Sequence, residues 1–173
     1  MTRLTTVALV VAGTFLGVFA VLDRLQADPE AGLPAAPARG LELYRAHCAV
    51  CHGTAGRGDG PAADLNRPPP RDFGTGKYRF VSTRIGAPTR QDLFDTITRG
   101  VPGTGMPAWN HMSEGDRWAL VDTVVSLSHE GVRASLLEWA REEDEEMSES
   151  EARQLAIEKM DPDEPIGPGP VPS

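Results

Sequence analysis

Cysteine is scarce in this chain: Cys48 and Cys51 are the only two among 173 residues. A structural zinc site usually needs four Cys or His ligands at paired spacings, and no second pair is present. No run of residues alternates between apolar and polar as a strand does, which argues against the β-α-β setting of a thioredoxin-like cysteine pair. The net charge of −8 excludes nucleic acid as an expected partner. The histidines outside the cysteine motif are His47, His111 and His129.

The two cysteines fall in a pentapeptide, Cys-Ala-Val-Cys-His, that ends at His52. This C-x-x-C-H spacing is the attachment signature of a c-type haem. Two thiols one helical turn apart can each add to a haem vinyl group, and the adjacent imidazole then coordinates the iron. We therefore predict one covalent haem c held by Cys48 and Cys51, with His52 as an axial ligand of the iron. Redox-active thiols and a structural zinc site are the alternatives.

A haem iron ligated by histidine has a second axial position, where methionine raises the reduction potential. Met106 lies in the sequence Gly-Thr-Gly-Met-Pro, with two glycines before it and a proline after it. Such a loop is a poor place for the gap-filling role that methionine has in cores. We predict Met106 as the second axial ligand, with His111 and Met112 as the alternatives.

Helical periodicity and helix-start signals predict an all-α domain over residues 39–129. The first helix is expected from about Arg39 to Cys51, the second after a capping box at Thr89, and the third after Ser113. A core of this size is marginal alone, and a buried haem would complete it. The predicted buried face of the first helix consists of Leu43, Tyr44 and Val50, and Gly100 is the predicted end of the second helix.

The N-terminal region contains an uncharged, largely apolar run from Leu4 to Leu22. Its nineteen residues approach the length of a membrane-spanning helix and exceed a signal-peptide core. We predict that residues 1–27 are an N-terminal anchor, with a cleaved signal peptide as the alternative, and that residues 28–38 are a Pro/Ala-rich linker. Haem c is attached outside the cytoplasm in bacteria. The expected location is therefore the periplasmic side of the inner membrane, or the soluble periplasm after cleavage.

The acidity of the chain is concentrated at its C-terminal end. Residues 130–173 carry four bases against thirteen acids, whereas residues 39–129 carry eleven bases against nine acids. We predict an acidic helical extension that ends in a disordered terminus. The extension is either a solvated helix or an electrostatic element that docks a basic partner or covers the chain's own basic face.

The stretch from Gly40 to Leu127 resembles a class I cytochrome c. The resemblance rests on the haem motif, on Gly-Met-Pro around Met106, and on Gly40, Tyr44 and Trp118, which match the contact between the first and last helices of that family. It implies that a proline carbonyl, here that of Pro61, accepts the imidazole N–H of His52. The chain departs from the family at Thr123 and Val124, where an aromatic residue is common, and in a longer, more basic segment from Arg67 to Arg84.

Two haem propionates need polar partners if they are buried. The basic segment supplies candidates, although a solvated basic surface is the alternative. We predict a haem pocket that includes Arg71, Tyr78, Arg79 and Trp109 in addition to Pro61.

A haem with histidine and methionine on its two axial positions has no site for a substrate. The expected function is electron transfer, without enzymatic activity, between membrane-associated partners such as a quinol-oxidising complex and a terminal oxidase or reductase. The alternative is a haem enzyme or gas sensor with an open or labile sixth position, in which His111 would be the distal group. A non-catalytic subunit of a larger complex is the third possibility.

Overall fold

Helices account for the regular structure of the computed structural model, which describes residues 36–160. Within this range there is no strand, and the all-α prediction is confirmed. The predicted anchor and most of the linker, like residues 161–173, lie outside the described residues. Among residues 36–160, no helix combines the length and the apolarity needed to cross a membrane. The elements are α1 (Ala38–His47), α2 (Ala49–His52), α3 (Arg90–Arg99), α4 (Glu114–Glu142) and α5 (Glu149–Met160), with 3₁₀ turns at Ala63–Leu65 and Phe73–Thr75.

The core lies where α1 and α3 pack against the first half of α4. Gly40 of α1 meets the backbone of α4 at Ala119 and the side chain of the fully buried Thr123. Thr123 stands where the resemblance to a class I cytochrome c implies an aromatic residue, and its small side chain lies against Gly40, where the two helices approach closely. Trp118 stacks on Phe94 of α3, with ring centroids 4.3 Å apart. The buried apolar residues of this core are Leu43, Tyr44, Ala49, Phe73, Leu93, Ile97, Leu120, Val121 and Val124.

The first helix differs from the prediction in one respect. It ends at His47, and Cys48 separates it from the short helix α2. Because the helical phase changes at this break, the buried residue of α2 is Ala49. The prediction that Val50 is buried was wrong, since 50% of its surface is exposed.

The predicted helix starts are confirmed. The Thr89 side chain accepts a hydrogen bond from the backbone N–H of Asp92, and the Asp92 carboxylate accepts one from Thr89, which completes the capping box of α3. Gly100 ends that helix with φ of 67°, a conformation that favours glycine. The Ser113 hydroxyl caps α4 through the backbone N–H of Asp116.

Helix α4 continues well beyond the haem-domain core. Its 29 residues run through the predicted boundary between residues 129 and 130, so that boundary, which stays a prediction, falls inside a continuous helix. Helix α5 follows a cap at Ser148, whose hydroxyl accepts a hydrogen bond from the N–H of Glu151. The buried residues of α5 are Ala152, Ala156 and Met160.

Candidate haem site

A cavity opens beside α2 and brings the four predicted haem-attachment and ligand residues together. Cys48, Cys51, His52 and Met106 all line it. A haem needs two thiols, two axial donors and a largely apolar enclosure, and the residues present fit that group. The apolar part of the wall includes Pro68, Pro69, Pro70, Phe73, Leu93, Ile97, Val101 and Val124.

The backbone around α2 sets the spacing of the attachment residues. The N–H of Cys51 and that of His52 both donate to the carbonyl of Cys48, at 3.1 and 2.9 Å. The two cysteines are therefore one turn apart, with the imidazole adjacent. Burial, reinforced by the neighbouring Cys51, raises the pKa of the Cys48 thiol to about 11. A redox-active cysteine pair needs a lowered pKa, so this setting argues against the thioredoxin-like alternative.

His52 is held by contacts on two sides. Its Nδ1 lies 3.1 Å from the backbone carbonyl of Arg71, and its ring stacks on Phe73 with centroids 4.8 Å apart. Since a carbonyl can only accept, Nδ1 carries the proton and Nε2 is left with a lone pair for iron. Burial lowers the pKa of His52, against the opposing effect of the Arg71 carbonyl, which favours the neutral imidazole that a metal binds.

The carbonyl expected to orient His52 was that of Pro61, and this expectation was wrong. Arg71 provides the carbonyl instead, and Pro61 is exposed and does not line the cavity. The reason lies in the loop after α2, where Gly60 donates to the Cys51 carbonyl and lies against the α2 backbone. This pairing leads Pro61 away from the imidazole, whose Nδ1 is approached by the later chain segment at Arg71.

The loop that presents Met106 is closed by its own hydrogen bonds. The N–H of Val101 donates to the Met106 carbonyl at 3.1 Å. The Thr104 hydroxyl donates to the Val101 carbonyl at 2.7 Å and accepts from the N–H of Met106 at 3.2 Å. Met106 lines the cavity, whereas the alternative ligands His111 and Met112 do not.

The other predicted pocket residues, Arg71, Tyr78, Arg79 and Trp109, also line the cavity. Tyr78 has its hydroxyl 2.6 Å from that of Ser128, so this hydroxyl is already engaged within the protein.

Phe73 and Asn66 are among the lining residues that the sequence did not predict. The Asn66 amide donates to the Ala62 carbonyl at 2.7 Å and approaches the Cys51 sulfur at 3.8 Å. No local motif marks either residue, because each reaches the site only through the path of the long loop between α2 and α3. Among residues 36–160, no group of three His, Cys, Asp or Glu side chains is arranged so that it could hold a metal ion.

The helices and the cavity define a c-type cytochrome domain. Residues 35–122 match the family described as cytochrome c oxidase, cbb3-type, subunit III. The match covers half of the chain, and the chain belongs to this family. Its haem c is therefore covalently bound and contains iron, as predicted.

One solved structure adds to this assignment. A chain of the "Kuenenia stuttgartiensis reducing HAO-like protein complex Kustc0457/Kustc0458" is similar over 56% of this chain and 44% of its own length, with 36% identity and a TM-score of 0.52. This protein thus matches less than half the length of that relative. No curated protein sequence matches the chain.

Proposed function

We propose that the protein carries single electrons through one haem c and has no enzymatic activity of its own. The observation that carries the proposal is that His52 and Met106 line the same cavity as both cysteines. Two protein ligands would fill both axial positions of the iron and leave no site for a substrate. The family assignment supports electron transfer in general.

Each residue of the site has a role in this proposal. Bound haem supplies the iron that accepts and releases one electron. Cys48 and Cys51 hold the group covalently, and His52 and Met106 supply the axial nitrogen and sulfur. The Arg71 carbonyl holds the proton on Nδ1 of His52, which fixes the tautomer and raises the basicity of the ligand.

The polar rim of the cavity is suited to the haem propionates. Arg79 and Trp109 line the cavity, and both side chains carry N–H groups that can donate hydrogen bonds to carboxylates. Tyr78 is better suited to a structural role, because its hydroxyl is bonded to Ser128. We assign two roles to Arg71. Its backbone carbonyl orients His52, and its guanidinium is a candidate donor to a propionate.

We further propose that the domain works on the periplasmic side of the inner membrane, tethered by residues 1–27, with release after signal cleavage as the alternative. The length of the apolar run supports the tether. A tether would raise the effective concentration of the domain near membrane-bound partners. A quinol-oxidising complex as donor and a terminal oxidase or reductase as acceptor fit this placement. The family description names an oxidase subunit, and the structural relative is a chain of a complex.

Absorption spectra of the exported protein test the function. The protein is measured oxidised, then reduced, then reduced under CO. A low-spin c-type spectrum that CO does not change is the expected result. A CO-shifted spectrum would show an open or labile sixth position and would favour a gas sensor or haem enzyme. His111 is exposed and does not line the cavity, which argues against its use as a distal group.

A further inference from the structure

The C-terminal helical region (residues 123–160) lies beyond the family match, which ends at residue 122. It contains α4 from residue 123 onward and all of α5. It nevertheless contacts the loop that supports His52, at the 3₁₀ turn Phe73–Thr75 and at Tyr78.

One of these contacts joins two glycines. A β-carbon on Gly131 of α4 would lie 2.4 Å from the Cα of Gly74, and one on Gly74 would lie 3.2 Å from the Cα of Gly131. Neither glycine has a positive φ. The requirement for glycine is therefore one of space, and any side chain at residue 131 must displace the backbone of the turn.

The turn that would be displaced belongs to the loop whose residues contact His52. Phe73, adjacent to Gly74, stacks on the imidazole. The Asp72 carboxylate accepts from the N–H of Gly74 at 2.8 Å, so the turn is rigidly joined to the residue that follows Arg71. A shift at Gly74 is therefore transmitted both to the ring face and to the carbonyl at Nδ1.

A second contact fixes the end of the same loop. The Ser128 hydroxyl donates to the Val124 carbonyl at 2.8 Å. The serine proton is thus used, and Tyr78 must be the donor in its 2.6 Å bond to Ser128. Burial raises the pKa of Tyr78, which keeps this phenol protonated as a donor. The Tyr78 ring in turn stacks on Phe73 with centroids 6.1 Å apart.

Helix α5 covers the loop from the outside. A β-carbon on Gly76 would lie 3.2 Å from the sulfur of Met160 and 3.1 Å from Val132. Val132, Ala156 and Met160 form a buried cluster against which Tyr78 packs. The acidic extension therefore has an apolar side that packs against the haem domain.

We propose that the C-terminal helical region, through Gly131 and Ser128, positions Phe73 and the Arg71 carbonyl against His52 and thereby sets the reduction potential of the haem. Gly131 and Ser128 are positioning residues, since they act through the loop. The inference rests on the proposed ligation of iron by His52. A weaker bond from Nδ1 makes the imidazole less basic and stabilises ferric iron less.

The test uses Gly131→Ala in the full-length, haem-loaded protein. We expect a more positive reduction potential and altered EPR g-values of the ferric haem, with covalent haem retained on a denaturing gel. Gly115→Ala is the matched control, because it lies in the same helix and a β-carbon there meets nothing within 4 Å. The control is expected to keep the wild-type potential and g-values.

If Gly131→Ala lowers the thermal stability but leaves potential and g-values at wild-type values, the region is only structural and the proposal is overturned. Ser128→Ala provides a second test if Gly131→Ala does not fold. It is expected to move the potential in the same direction by a smaller amount, and an unchanged potential would also overturn the proposal. Failure of the proposed function is seen separately, as CO binding by the wild-type protein.

Discussion

A β-carbon added to Gly40 would lie 2.1 Å from the carbonyl oxygen of Ala119. Helices α1 and α4 are thus in backbone contact at this glycine. The same carbonyl accepts a hydrogen bond from the Thr123 hydroxyl at 2.9 Å, and Thr123 is fully buried. The helix that leads into the haem motif is therefore fixed directly to the longest helix of the domain.

Gly40→Ala is expected to destabilise the protein by about 1–3 kcal/mol, the usual cost of overpacking. The sign of the change in the free energy of unfolding is informative, because a glycine-to-alanine substitution within a helix otherwise stabilises a protein by up to about 1 kcal/mol. Denaturant unfolding of the haem-loaded protein measures the change. Gly115→Ala, where nothing lies near the added carbon, serves as the comparison. Equal stabilities for the two variants would contradict the close contact.

Cys48→Ser is expected to weaken or abolish covalent attachment, because serine cannot form the thioether that the thiol makes with a vinyl group. Haem staining on a denaturing gel and the absorption spectrum measure the effect, and Cys51→Ser should behave alike. A Cys48→Ser protein that carries a full complement of haem with an unchanged spectrum would contradict the thioether assignment.

Met106→Ala is expected to leave haem covalently bound, to lower the reduction potential and to open the iron to CO. The reason is that a soft thioether favours ferrous iron and occupies the sixth position. Potentiometry and CO titration measure the change. Met112→Ala is the control, since Met112 packs against the core without lining the cavity. Wild-type spectra and potential in Met106→Ala would rule out Met106 as the ligand.

Asp92→Asn is expected to cost about 1 kcal/mol at neutral pH, because the amide lacks the charge that strengthens the hydrogen bonds the carboxylate accepts from Ser82 and Thr89. Burial raises the pKa of Asp92, but hydrogen bonds from Ser82 and Thr89 outweigh burial and lower it overall. A lowered folded-state pKa means that the carboxylate stabilises the fold above its unfolded-state pKa. This contribution is lost as the pH falls through the folded-state pKa.

The free energy of unfolding, measured from neutral to acidic pH, checks this prediction. The difference in this free energy between wild type and Asp92→Asn should disappear in acid. Asp95→Asn is the control, as Asp95 is exposed on the same helix and accepts a hydrogen bond from the Gln91 side chain. A difference in the free energy of unfolding that stays constant with pH would show that the charge of Asp92 does not contribute to stability.

Features whose chemistry is local could be predicted from the amino-acid sequence. The spacing of Cys48, Cys51 and His52 predicts covalent haem within five residues, and the family assignment agrees. Thr89 and Ser113 begin their helices because a cap acts on N–H groups two or three residues away. The ligation of iron by Met106 stays a prediction, supported by its place in the cavity.

Features that depend on backbone contacts between distant segments could not be predicted from the sequence. Which carbonyl reaches His52 depends on the path of the loop between α2 and α3, and that path brings Arg71 rather than Pro61 to the imidazole. The contact of Gly131 with Gly74 likewise joins residues far apart in sequence. Backbone carbonyls and glycine contacts carry no side-chain signature, so their partners are set by how the helices pack.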